Sequence, residues 1–111
     1  MDWERGERRR GERAAFDGWV AITMGPERRL GSAVDLSAEG LGMLLAPPHP
    51  ETGATVESEF ALPGFGVPLG ISARVAWSDP EAGRLGLAFD RLDLAVAELL
   101  QSAVAGRFRS G

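Results

Sequence analysis

Cysteine is absent from this 111-residue chain, which excludes disulfides and thiolate zinc sites. Lysine and tyrosine are absent too, and the lone imidazole is His49, inside a Pro47-Pro48-His49-Pro50 loop. A histidine-based metal site is therefore not expected, nor is a cofactor. Nucleophilic catalysis also loses its usual parts, since no serine stands in a nucleophile-elbow pattern. Acid pairs such as Glu57 and Glu59 lie on an alternating stretch and read as a solvated strand face rather than a general acid and base. An enzyme is not expected. No apolar run approaches bilayer length, and the first ten residues carry Arg and Glu where a signal peptide would be apolar. The expectation is a soluble, cytoplasmic protein with no membrane insertion.

What is present points to one domain, long enough to bury about 60 to 70% of its unfolded surface around a single core. Every basic residue is arginine, and sixteen acids against twelve arginines leave a net charge of −4, which argues against a general DNA or RNA binder. The charge is uneven. Five Arg and two Glu between Arg5 and Arg13 make a local +3, leaving −7 for the remainder. Dense charge without apolar periodicity marks residues 1–15 as a flexible arginine-rich arm.

Beyond the arm the apolar residues follow period two. Phe16, Val20, Ile22 and Met24 predict a first strand over Phe16 to Met24, with Gly18 interrupting it, and Gly25-Pro26-Glu27 is a turn. Leu30, Val34 and Leu36 resume the alternation. The proline-rich run after Leu45 cannot donate to a ladder and is a loop. Val56, Phe60 and Leu62 alternate with Glu57 and Glu59, and Pro63-Gly64-Phe65-Gly66 is a further turn. Val67, Leu69, Ile71, Ala73, Val75 and Trp77 then occupy six successive odd positions, and Leu85, Leu87 and Phe89 return after a Ser78-Asp79-Pro80-Glu81 loop. Trp19 falls opposite Val20 and Ile22, with exposure and burial under a helix both open.

Near the C-terminus Asp90 or Asp93 is placed to cap a helix whose stripe is Leu92, Val96, Leu99, Leu100 and Val104, with Gly106 as a stop. About six strands on short turns, plus one helix, would leave exposed edges in a flat sheet. The fold class expected is all-β with one terminal helix: a small six-stranded antiparallel β-barrel over residues 16–106, closed by the C-terminal helix and followed by a tail at 107–111.

One stretch carries chemistry. Asp35-Leu36-Ser37-Ala38-Glu39-Gly40 reads as a strand, a type I turn and another strand, with Asp35 and Ser37 together on the non-core face and Gly40 tolerating unusual dihedrals. With Glu7-Arg8-Arg9-Arg10-Gly11-Glu12-Arg13 ahead of the first strand, the chain resembles the PilZ family of cyclic di-GMP receptors, whose signature is RxxxR followed by [D/N]xSxxG. The resemblance runs from Arg8 to about Val104 and takes in Ala73-Arg74-Val75-Ala76-Trp77 and Gly86-Leu87-Ala88-Phe89.

The resemblance implies a six-stranded barrel with cyclic di-GMP held outside it, between arm and turn. Arg9 and Arg13 take the RxxxR positions, Arg8 precedes them, and Asp35, Ser37 and Gly40 take those of the second motif. Arg5 and Arg9 also fit RxxxR, but Arg13 lies three residues before Phe16, where the arm is tethered, which favours Arg9 and Arg13. Arginine suits such a ligand because its planar fork binds phosphate bidentately and stacks on bases, while Asp35 complements guanine's donor edge with help from the Ser37 hydroxyl. Five arginines could serve a stacked pair of ligands. A receptor with no output module must act through an unidentified protein effector. The alternative is a PilZ-like interaction adaptor that binds no nucleotide; a barrel that binds single-stranded nucleic acid ranks lower because the body is acidic.

Overall fold

The computed structural model describes residues 13–62 and 67–110. Among these residues seven strands and one helix follow one another: β1 Arg13–Ala15, β2 Trp19–Met24, β3 Glu27–Ser37, β4 Gly40–Leu44, β5 Thr55–Ala61, β6 Pro68–Asp79, β7 Arg84–Phe89, and α1 Leu94–Ser110. Every pairing is antiparallel, in the order β1-β3-β2-β5-β6-β7-β4, and a further β3–β4 pairing closes β2 to β7 into the six-stranded barrel that the alternating pattern predicts. β1 is an added strand that follows β2 along one edge of β3. The chain thus joins the sheet at Arg13, ahead of the boundary after residue 15, because Ala14 is small and apolar enough to enter the core. Residues 1–12 of the expected arm lie outside the described residues.

Turn chemistry fixes the registers. Met24 pairs with Glu27 across a two-residue turn, and Gly25 has a φ of 55°, the left-handed conformation a tight hairpin takes at its first central position. Between β6 and β7, Asp79 pairs with Arg84, and the Gly83 N–H bonds the Pro80 carbonyl at 3.1 Å.

The core collects Val20, Ile22, Leu36, Leu41, Met43, Val56, Phe60, Ile71, Val75, Leu85 and Leu87 from the strands, and Leu100 and Val104 from the helix. Phe60 stands at its centre, with Phe16 edge-on at 6.1 Å and Phe89 stacked at 5.9 Å. α1 packs on β1 and β3 by the predicted stripe, with Leu92 and Val96 half-buried beside the core. It continues past Gly106 to Ser110, so the expected stop and residues 107–110 of the expected tail are helical. One glycine inside a helix costs only about 1 kcal/mol relative to alanine and does not end it.

Two bulges overturn parts of the alternation. In β3 the register shifts between Ala33 and Asp35, so the buried apolar positions are Ala33 and Leu36, three apart, and Leu30 is 65% exposed rather than in the core. In β6 the shift between Val75 and Trp77 makes Ala76 the extra residue and turns Trp77 outward, 46% exposed. Val67 precedes β6 and is also exposed. Trp19 resolves as exposed, at the outer end of β2.

The helix anchor is testable. Leu100→Ala should cost about 2 to 5 kcal/mol of stability by urea denaturation, since Leu100 is fully buried. Leu94→Ala, at a residue 75% exposed in the same helix, should stay within about 0.5 kcal/mol of the parent. Equal losses would show that α1 docks by another face.

Candidate functional site

The β3–β4 hairpin turns within two residues, Ala38 and Glu39, and Ser37 holds it. Its Oγ accepts the N–H groups of Glu39 and Gly40, each at 3.1 Å, and lies 3.4 Å from the Gly40 carbonyl, to which its own proton is donated. Sequence alternation places Ser37 beside Asp35 on the non-core face, yet Ser37 is wholly buried. The reason is local: its hydroxyl serves backbone groups that would otherwise have no partner at a strand end closed off from water. The turn is also pinned from outside, since Phe89 N–H donates to the Glu39 carbonyl at 2.8 Å.

Gly40 differs from expectation in its physical role. Its φ is not positive, so no unusual dihedral calls for glycine. Instead a Cβ at this position would collide with the Leu87 carbonyl on β7, where the barrel closes. Close approach of strand to strand requires the glycine.

Asp35 follows the β3 bulge, opposite Ala15 on one side and Gly42 on the other. Its Oδ1 accepts the Gly42 N–H at 3.1 Å, and a Cβ on Gly42 would stand 2.8 Å from that same oxygen. Gly42 thus both orients the carboxylate and leaves room for it. Sequence reasoning missed it; the signal was a second glycine two residues after Gly40, in phase with it on the strand.

The row continues across the barrel wall. Gly42 pairs with Gly86 on β7, and Gly86 with Trp77 on β6, whose indole lies where a Gly86 side chain would be. Ala15, Asp35, Gly42, Gly86 and Trp77 therefore form one transverse line on the non-core face, a carboxylate and an indole facing each other over two glycines. Alternation alone misplaces Trp77, because only the bulge at Ala76 brings it outside.

The β1–β3 register sets Arg13 opposite Ser37 and Ala15 opposite Asp35. Of the predicted site residues, the structure brings Arg13, by its backbone, together with Asp35, Ser37 and Gly40. Arg8 and Arg9 lie outside the described residues. His49 belongs to a different place. Its Nε2 bonds the Leu45 carbonyl at 2.8 Å and its Nδ1 pairs with Ser78 Oγ at 2.7 Å. Beside it Arg29 donates to the Ala46 and Pro48 carbonyls at 2.6 and 2.8 Å. In the cavity of about 100 Å³ between them, lined also by Ile22, Met24 and Glu27, Arg29 and His49 hold the proline-rich loop.

The PilZ domain family model matches residues 7–106, and the chain belongs to that family. Its members are non-catalytic receptor and adaptor domains, in line with the expectation that the chain is not an enzyme. Among solved structures, the fold is similar to the Bacillus subtilis inhibitor of motility MotI/DgrA, at 19% identity and a TM-score of 0.73 over 88% of this chain and 50% of that one. It is similar to Escherichia coli YcgR in complex with c-di-GMP, at 22% identity and a TM-score of 0.77 over 93% of this chain and 47% of that one. The isolated YcgR PilZ domain with c-di-GMP matches at 21% identity and a TM-score of 0.73, over 93% of both chains. This chain spans about half the length of the first and second of these proteins. No curated protein sequence matches it.

The hairpin's dependence on one hydroxyl gives a stability prediction. Ser37→Ala leaves the N–H groups of Glu39 and Gly40 without their acceptor and should cost about 1 to 3 kcal/mol in urea denaturation before any ligand is added. An unchanged midpoint would mean that the turn is held by the Phe89–Glu39 bond alone.

Proposed function

We propose that the chain is a cyclic di-GMP receptor that holds the dinucleotide outside the barrel, between the arginines of its N-terminal segment and the β3–β4 hairpin. The observation that carries this reading is the β1–β3 register, which aligns the second RxxxR arginine with the serine of the DxSxxG motif. The last residue of one motif thus stands on a strand adjacent to the other motif. Membership of the PilZ family supports the reading, as does likeness to a domain solved with c-di-GMP.

The chemistry fits part by part. The ligand brings two phosphodiester anions and two guanines, which Arg8, Arg9 and Arg13 suit by bidentate pairing and by stacking. Asp35, oriented by the Gly42 N–H, is an ionised acceptor for the N1 and N2 donors of guanine. Ser37 and Gly40 act through the backbone by fixing the hairpin that carries Asp35, and the exposed Trp77 indole offers a face on which a base can stack. Binding orders the arginine segment, at a cost in affinity, and the five arginines there serve a stacked pair of ligands. The ordered segment then presents a changed surface to a protein effector. A second reading, an adaptor that binds no nucleotide, is favoured by one observation: Trp19, Leu30 and Leu44 expose apolar side chains on neighbouring strands β2, β3 and β4.

Calorimetric titration with cyclic di-GMP decides between them. Saturable binding with two ligands per chain is the expected result, and silence at high ligand concentration would leave the adaptor reading standing. Arg9→Ala or Arg13→Ala should each cost about 1.5 to 3 kcal/mol of binding, roughly tenfold to a hundredfold, while Arg5→Ala should cost much less. Equal losses at Arg5 and Arg13 would place the working pair at Arg5 and Arg9.

Asp35 should set base selectivity. Cyclic di-AMP lacks the guanine donors and should bind far more weakly, and Asp35→Ala should weaken cyclic di-GMP and narrow that gap. Unchanged discrimination in the variant would assign selectivity to the arginines.

A further inference from the structure

β6 carries an arginine that neither motif includes. Arg74 stands between core residues Ala73 and Val75, so strand alternation sends its side chain to the non-core face, where it is exposed. It pairs with Ala88 on β7, and Ala88 pairs with Gly40 on β4, the residue that closes the hairpin with Ser37. Arg74 thus ends a second transverse row, beside the one that ends in Trp77. Between the hairpin and β6 the two rows hold only Gly40, Ala88, Gly42 and Gly86, so no side chain larger than a methyl is rooted between the walls. Across four strands the span is about 14 Å, three strand spacings.

The bulge at Ala76 makes this wall possible. Arg74 and Trp77 are three apart, which in a regular strand would put them on opposite faces, and the extra residue brings both outside. Among the described residues, Arg74 has no hydrogen-bond or ion-pair partner. Its cross-strand neighbours are Thr55 and Ala88, and two acids flank it two positions along: Glu57, which accepts the Ser72 hydroxyl at 2.6 Å, and Asp90, whose N–H bonds the Ser72 carbonyl at 2.8 Å. An unpaired guanidinium beside an indole, over a floor of glycine and alanine, is a surface for a ligand that carries both an anion and a flat ring.

We propose that Arg74 is a ligand-binding residue of this site, pairing with a phosphodiester of the bound dinucleotide from the β6 wall, across the face from the β3–β4 hairpin. This rests on the cyclic dinucleotide reading. It makes the barrel's own wall, and not the segment alone, a source of phosphate affinity, with Arg74 and Trp77 holding one ligand edge together.

The test is titration of the full chain with cyclic di-GMP, comparing the parent with Arg74→Ala, Arg74→Lys and, as a control, Arg28→Ala at an exposed position at the far end of β3 from the hairpin. Arg74→Ala should weaken binding about tenfold or more and flatten its dependence on sodium chloride concentration, whereas Arg28→Ala should stay within about twofold. Arg74→Lys should keep the salt dependence and recover only part of the affinity, because a point charge cannot pair bidentately. Urea midpoints of the Arg74 variants should match the parent, which separates lost binding from lost folding. If the parent binds and Arg74→Ala binds equally well with the same salt dependence, the inference falls and the dinucleotide reading stands. If the parent does not bind, both fall.

Discussion

β3 spends its hydrogen-bonding groups on three partners, and the molecule depends on that division. One edge pairs with β2 through Ser32 and then with β1 from Asp35 to Ser37, while the other pairs with β4 and closes the barrel. A regular strand could follow this path only with one face inside throughout. The shift at Val34 changes which residues face inward, so Leu36 enters the core while Asp35 stays outside between Ala15 and Gly42. Barrel closure then tolerates no side chain at Gly40, and the turn before it is held by a buried hydroxyl. Candidate site and barrel seam are therefore one piece of structure. Ser37 and Gly40 stabilise the seam, and Asp35 is the group the seam presents.

This accounts for which parts were legible in the sequence. Hairpins announced by Gly25-Pro26 and Asp79-Pro80 were readable because turn geometry demands those residues, and the stripe ending in Leu100 and Val104 was readable because helical spacing is regular. The period-two reading failed at Leu30, Ser37, Val67 and Trp77. At Leu30 and Trp77 a bulge lies on the same strand, and an inserted residue leaves no local mark while reversing every face beyond it. Gly40 was chosen for a dihedral it does not adopt and for a missing Cβ that would let a ligand come close. Its requirement comes from Leu87, remote in sequence and visible only once β4 and β7 pair. The meeting of Arg13 with Ser37 is likewise a fact of register.

The non-core face of β1, β3, β4, β7 and β6 now has a consistent physical character. Its middle is glycine and alanine, its β3 side holds a carboxylate fixed by a backbone N–H, and its β6 side holds an indole and a guanidinium. Small residues in strand interiors sacrifice packing and conformational entropy, a cost found where a backbone or a ligand must come close. Here Gly40 is explained by the neighbouring strand, Gly42 by Asp35 and Gly86 by Trp77. Each glycine thus positions a group that faces outward or closes the wall behind it.

The central claim is that the dinucleotide lies across this face. A titration with cyclic di-GMP followed by amide and indole NMR shifts tests it most directly, because it reports position independently of affinity. The account predicts the largest shifts at residues 13 to 15, at Asp35 to Gly42, at Gly86 and at the Trp77 indole, with little change at Ile22, Met24, Arg29 and His49. Shifts confined to the cavity beside His49, with Asp35, Gly42 and Trp77 silent, would contradict it.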